Sequence, residues 1–297
     1  MLNFKSIELE DKPWVDELNA RSDYRGCEYA FGTIFIWQFI YGTKIARFED
    51  FVLCRSGKAG EYSYLYPAGS GDVARAIEAI ETDAAENGCP FRMHSVNSQA
   101  REELERLFPG KYSFTEVRDG FDYIYTSESL ATLKGKKLHS KRNHINRFRE
   151  NYEGRWAYED ISPANLAECM TMNKRWCSQN DCMLDDDKLG EQCAVAQSFR
   201  HFEALGFKGG LLRVDGEVVA FSMGEPLSSD TFVVHIEKAF ADIQGAYPMI
   251  NQQFVLANCM EYTYVNREED TGAEGLRKAK LSYHPAILET KYSVKHL

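Results

Sequence analysis

Near the end of the chain, Asn266-Arg-Glu-Glu-Asp270 gathers an amide, a guanidinium and three carboxylates directly after the apolar run Tyr262–Val265. A carboxylate such as Asp270 can take up a proton, and Arg267 can grip a carboxylate or phosphate through two parallel N–H bonds. Asn266 and Glu268 would complete a substrate-binding set; a charged surface loop turning at Thr271-Gly272 is the alternative. Upstream, His235 and Glu237 alternate in Thr231-Phe-Val-Val-His-Ile-Glu237, so a regular strand would point both to one face. A histidine oriented by that carboxylate is a general base, and a satisfied polar pair at a sheet rim is its competitor. Gly245 opens a helical stretch with Tyr247 and Asn251 in its first turns. Free N–H groups and the positive helix end there suit a phosphate, although many strand-to-helix connections look the same.

A fourth group is basic. Lys134 to Arg149 holds seven Lys/Arg, two His and no acid, with Lys141 and Arg142 at its centre. In an otherwise acidic chain, that concentration faces an anionic ligand or forms a solvated linker helix.

These residues need scaffolding, and the pattern supplies it in two halves, 1–126 and 153–297, joined by a basic helix over 127–152. In the first half, helices are expected at 11–20, 24–41, 71–87 and 98–108, the last capped by Ser98. Strands are expected at 45–54, 62–67 and 91–96, with two more in 112–125, and the turn 57–60 closes a hairpin. The second half reads as a strand at 155–160 and helices from Ser162-Pro163 to 178 and over 188–205. A hairpin through Asp215-Gly216, the strand at 231–237, the helix after Gly245, a strand at 262–270, a helix at 275–285 and a strand at 290–294 follow. The fold class is α+β. Arg277 and Lys280, three apart, share one face of the late helix.

Composition sets the bounds. The 297 residues are 44% hydrophobic and 27% charged, which suits a folded globular protein. A net charge of −10 argues against nucleic-acid binding over the whole surface but leaves room for a local basic patch. The N-terminus lacks the apolar core of a signal peptide, and Phe31–Ala46 is too short and too interrupted to span a bilayer. A cytoplasmic location is expected. Eight cysteines (27, 54, 89, 169, 177, 182, 193, 259) form no Cys-x-x-Cys pair, and no histidine stands at zinc-ligand spacing. Buried free thiols are expected, with no metal. The aromatic run Asp23–Trp37 is core or the lining of an acceptor cleft.

Several stretches together resemble one family. They are Phe121-Asp-Tyr-Ile-Tyr125 with Leu133–Phe148, the Asp215–Ser222 hairpin arm, and Asn266-Arg-Glu-Glu-Asp-Thr-Gly-Ala-Glu-Gly-Leu-Arg-Lys-Ala-Lys-Leu-Ser-Tyr-His-Pro285. They look like the phosphatidylglycerol lysyltransferase C-terminal family, which has two tandem GNAT-like domains and is similar to the Fem peptidyltransferases. The resemblance implies transfer of an activated acyl group, in its best-known members an aminoacyl group from charged tRNA to a lipid hydroxyl. It implies no firm cofactor; aminoacyl-tRNA or acyl-CoA would be the donor substrate, and a small molecule or lipid headgroup the acceptor. The basic segment 134–149 would then contact tRNA. A carboxylate of 266–270 would hold the aminoacyl ammonium, and Lys280, Tyr283 and Lys291 would bind phosphate or polarise the carbonyl. The resemblance also makes Tyr283 the candidate general acid. The glycine turn is poorer in glycine and arginine than a usual coenzyme A loop. The lysyltransferases carry a membrane-embedded domain ahead of this region, and no such segment is read here, which leaves a soluble amine or hydroxyl as an acceptor.

Overall fold

A computed structural model of the chain describes residues 2–180 and 186–297. In chain order the elements are α1 (Lys12–Ser22), α2 (Phe31–Tyr41), β1 (Lys44–Phe48), β2 (Phe51–Ser56), β3 (Ser63–Tyr64), β4 (Ala68–Gly69), α3 (Val73–Glu86), β5 (Arg92–Asn97), α4 (Ser98–Leu107), β6 (Tyr112–Glu116), β7 (Asp122–Thr126), α5 (Ser127–Thr132) and α6 (His139–Asn151). There follow β8 (Trp156–Asp160), α7 (Leu166–Gln179), α8 (Asp186–Arg200), α9 (Phe202–Leu205), β9 (Lys208–Val214), β10 (Glu217–Pro226), β11 (Thr231–Ala239), α10 (Ala246–Asn258), β12 (Tyr264–Asn266), α11 (Glu274–Leu281), β13 (Ile287–Glu289) and β14 (Lys291–His296). No helix among the described residues is long and apolar enough to cross a membrane.

Two mixed sheets carry the fold. One runs β1-β2-β3-β5-β14-β6 with β4 on β2, and the other runs β13-β7-β12-β11-β10-β9-β8. The sheets do not partition with the two halves of the sequence. β7, from the first half, pairs with β12 and β13 in the second sheet, and the last strand β14 inserts between β5 and β6 in the first. Chain neighbours β13 and β14 therefore belong to different sheets. The larger core joins α2 to the second sheet through Phe31, Phe35, Phe207, Phe221 and Phe254. A smaller one, around Ile77, Met93, Leu104 and Val294, lies beneath α3 and α4. The run Asp23–Trp37 contributes chiefly to core, since Phe31, Ile34, Phe35 and Ile36 are buried.

Local signals explain most elements. Asp72 caps α3 by accepting from the Arg75 N–H, and Ala76, Ile77, Ile80 and Ala84 form its buried face. Asp215 and Gly216 both have positive φ, 52° and 86°, which gives the two-residue turn joining β9 to β10 the twist a hairpin favours.

Other expectations are corrected. Asn97, not Ser98, caps α4, with its side chain on the Ala100 N–H. α7 begins at Leu166 after Asn165; Ser162 and Pro163 lie in the turn before it, where the Asn165 side chain accepts from the Ser162 N–H. The 45–54 strand is two strands folded at Glu49-Asp50, because Glu49 takes a left-handed φ of 52°. α2 starts only at Phe31. The basic helix 127–152 is broken: α5 stops at Leu133, itself left-handed, and α6 starts at His139. Cys193 is exposed, whereas Cys27, Cys54, Cys89, Cys169, Cys177 and Cys259 are buried thiols; Cys182 lies outside the described residues.

Candidate active site between two diverging strands

β11 and β12 are parallel, but they pair only from Thr231↔Tyr264 to Val233↔Asn266. Beyond that point β11 continues to Ala239, while the chain leaves β12 as the loop 267–273. The ladder between β11 and β12 is lost there, although Arg267 and Glu268 still bond Tyr123 of β7. This gap in the pairing lies at the carboxyl end of β12, the usual place for a ligand in such sheets.

Side chains from four elements meet in this gap. Glu237 of β11 accepts from Arg267 Nη2 at 2.8 Å and from Asn251 Nδ2 of α10 at 2.9 Å. Arg267 lies 4.9 Å over the Tyr283 ring and 5.7 Å over the Tyr125 ring. Lys141 of α6 reaches the same ring, with Nζ 4.1 Å from the Tyr283 centroid. Burial and the neighbouring Arg267 guanidinium lower the Lys141 ammonium to about 8. Burial raises the Tyr283 phenol, so it stays protonated at neutral pH. Two polar atoms, Arg267 Nη1 and Asn251 Oδ1, are buried with no hydrogen-bond partner among the described residues. Such atoms are costly unless a ligand or water meets them. The gap can therefore polarise a carbonyl or hold an anion through Arg267 and Lys141, and donate a proton from Tyr283 or Lys141.

The remaining predicted residues do other work. His235 and Glu237 do not form a pair. The β10–β11 register steps from Gly224↔Val234 to Met223↔Ile236, leaving His235 without a partner in a β-bulge. The bulge breaks the alternation. Glu237 faces α10, while His235 meets Glu225 of β10 and Glu268, at 3.1 and 2.9 Å. Asp270 is fully buried, accepting from Arg277 at 2.7 and 2.8 Å and from the Tyr123 hydroxyl at 2.5 Å. Arg277 and Tyr123 hold this carboxyl well below the usual carboxylate range, although burial opposes them, so it is a structural anion with its lone pairs occupied. Asn266 bonds the Arg25 carbonyl and Asp122. Lys280 does share a face with Arg277, since both reach this loop. Its ammonium donates to the carbonyls of Arg267, Glu268 and Glu269, of which the Glu268 carbonyl also accepts from the Tyr123 N–H of β7. Arg142 is spent on the Leu133 and Gly135 carbonyls behind α5.

Lys291 sits apart, buried against Glu28 at 2.7 Å and Asp122 at 2.8 Å. Cys27 Sγ, Asp122 and Glu269 come within 4.8 Å of one another, a spacing that would suit a cation. The Lys291 ammonium already supplies that charge, 3.6 Å from the sulfur.

The α10 terminus makes a poor phosphate cradle. Gly245 has φ 85°, and a Cβ there would sit 2.3 Å from the His144 carbonyl of α6, so the glycine serves close packing of two helices. The Ala246 N–H is taken by the Ile243 carbonyl, and Pro248 has no N–H. Tyr247 hydrogen-bonds Trp176 at 3.2 Å.

Three contributors escaped sequence reasoning: Tyr125, Trp176 and Glu225. Glu225 alone left a trace, as an acid closing the apolar strand Val218–Met223. Tyr125 and Trp176 look like core aromatics from sequence.

The fold recurs in known proteins. A Bacteroides thetaiotaomicron protein of unknown function has the same structure over 100% of both chains, with 41% identity and a TM-score of 0.96. L-PGS from Bacillus licheniformis shares the fold over 99% of this chain and 93% of that one, with a TM-score of 0.68 at 15% identity. An uncharacterised Mycoplasmoides gallisepticum protein is 26% identical over 185 residues, which span 59% of this chain and 56% of that protein. The expected α+β class holds, and the fold is shared with the C-terminal domain of a putative lysylphosphatidylglycerol synthetase from Agrobacterium fabrum, with a TM-score of 0.68 at 14% identity over 96% of this chain and 91% of that one. Residues 19–295 match the family described as phosphatidylglycerol lysyltransferase, C-terminal, and the chain belongs to that family.

Proposed function

We propose that the chain is an acyl-group transferase whose donor is an aminoacyl ester, as on charged tRNA, and whose acceptor is an amine or hydroxyl, including that of a lipid headgroup. The observation that carries this reading is the gap between β11 and β12, where Arg267, Lys141 and Tyr283 converge on one point. Arg267 polarises the ester carbonyl, and Glu237 and Asn251 orient it. The acceptor nucleophile attacks the carbonyl carbon, the ester C–O bond breaks, and the leaving oxygen takes a proton from Tyr283 or Lys141. The proton lost by the acceptor returns to that group. An ester is already activated, so no covalent enzyme intermediate is required. Family membership supports the reaction class. The crowded Gly245 turn favours a donor other than acyl-CoA. Exposed Lys134, Lys136 and Lys137 in the loop before α6 favour a polyanionic donor.

The test is transfer of a radiolabelled aminoacyl group from a set of charged tRNAs to phosphatidylglycerol vesicles and to soluble amines, across a salt series. Transfer that weakens steeply with salt and is lost in Arg267→Ala and Lys141→Ala supports the reading. Transfer from acetyl-CoA, or thermal stabilisation by coenzyme A, would replace the donor. Full activity in both variants would remove the gap from the chemistry.

A further inference from the structure

After Asn266 the loop loses its ladder to β11, keeping on its other side only the bonds of Arg267 and Glu268 to Tyr123 of β7, yet its side chains reach back to β11 at two places. Arg267 is tied to Glu237, and the next residue, Glu268, is tied to His235. Consecutive loop residues thus take opposite directions to two positions of the bulged strand. Glu268 adopts a left-handed φ of 57°, unfavourable for a non-glycine residue and maintained only when its surroundings impose it. Its N–H is anchored on the Asn266 side chain.

His235 is enclosed, its side chain 1% exposed, with a carboxylate on each ring nitrogen. A neutral imidazole has one N–H and can satisfy only one of them. The Thr33 hydroxyl, 3.4 Å from Nδ1, does not alter that count, and the Phe207 ring packs against the imidazole with centroids 5.1 Å apart. Glu225 is itself fixed, by the Gly32 N–H at 2.8 Å and by Lys12 at 3.4 Å, which also pairs with Asp16. On the other side Glu268 has Lys280 and Glu269 nearby.

We propose that His235 is a positioning residue: as an imidazolium it stitches the loop after Asn266 to β10 and β11 where backbone pairing with β11 has ended, and so sets the direction in which Arg267 enters the gap. The two carboxylates outweigh burial and hold the imidazole at about 9, so the clamp is closed at neutral pH. His235 is not free to accept a proton. The clamp joins α1 and α2, through Lys12, Gly32 and Glu225, to the residue that meets the ligand.

Hydrogen exchange of the loop tests this without knowledge of the substrate. In the wild-type protein, amides of 267–272 should lose protection as pH rises through about 9, after correction for intrinsic exchange, while core amides of β9 and β10 do not. His235→Gln should lower loop protection at pH 7 at least tenfold and abolish the pH step. Adding Glu268→Gln, which removes the stranded carboxylate, should restore protection. A wild-type NMR titration of the His235 ring provides the measurement if the variant does not fold. A neutral ring at pH 7, loop protection unchanged in His235→Gln, or a uniform loss over the whole molecule with no pH step would each overturn the proposal. An intact clamp in a chain that transfers no acyl group leaves this inference standing and removes only the proposed reaction.

Discussion

Replacing Asp270 by Asn separates a structural carboxylate from a catalytic one. The Asp270 oxygens accept from both donating arms of Arg277, from the Tyr123 hydroxyl, from Arg118 at 3.3 Å and from the Gly272 N–H at 2.9 Å. An Asn amide is isosteric but has one acceptor oxygen, and its NH2 would face a donor. At least one charge-assisted bond is lost and a guanidinium is left uncompensated, a change that costs about 3–5 kcal/mol in a fully buried pair. Arg277 and Arg118 are roughly a third exposed, so solvent screening reduces this to about 2–4 kcal/mol. At roughly 2–3 °C per kcal/mol for a chain of this size, Tm should fall by about 4–12 °C at pH 7. The carboxyl's folded value is depressed, so its contribution is present above the ordinary carboxylate range and is lost as pH falls through the folded value. The wild-type and variant Tm values should therefore approach each other in strong acid. Calorimetry at pH 7 and at successively lower pH reads both. A variant that melts within about 1 °C of wild type at pH 7 but transfers no acyl group would refute the structural assignment and return Asp270 to the chemistry.

Two further substitutions test how the gap is built. Gly245→Ala should destabilise by about 1–3 kcal/mol in urea titration, because the new methyl meets the His144 carbonyl and the backbone there has positive φ. An unchanged midpoint would mean that α6 does not pack on the turn. Lys280→Met keeps the apolar stem but strands the carbonyls of Arg267 and Glu269, while that of Glu268 keeps the Tyr123 N–H, at a cost of about 2–4 kcal/mol. Loss of less than about 1 kcal/mol would show that water satisfies those carbonyls equally well.

Much of the secondary structure was legible because it rests on short-range physics. Asp215-Gly216 announces its hairpin by turn chemistry alone, and Ala76, Ile77, Ile80 and Ala84 announce α3 by period. The errors fall where one residue decides. Leu133 and Glu49 adopt left-handed backbone that nothing in their side chains advertises, and each breaks an element that periodicity would have continued. The His235–Glu237 pairing failed for a similar reason, since alternation holds only in a regular strand and a bulge lies at His235.

The sequence by itself determined the α+β class, the family motif at 266–285 and the concentration of charge around the gap, because composition, turn residues and spacing are properties of neighbours along the chain. Tertiary structure alone decided which charges are spent and which are available. Asp270, Lys280, Lys291 and His235 looked like reagents, yet partners such as Arg277, Glu28 and Glu225 engage them. Arg267, Lys141 and Tyr283 meet because β11 and β12 diverge and α6 packs on the Gly245 turn. A side chain's chemistry follows from what neutralises it, and those partners lie up to 263 residues away in the chain.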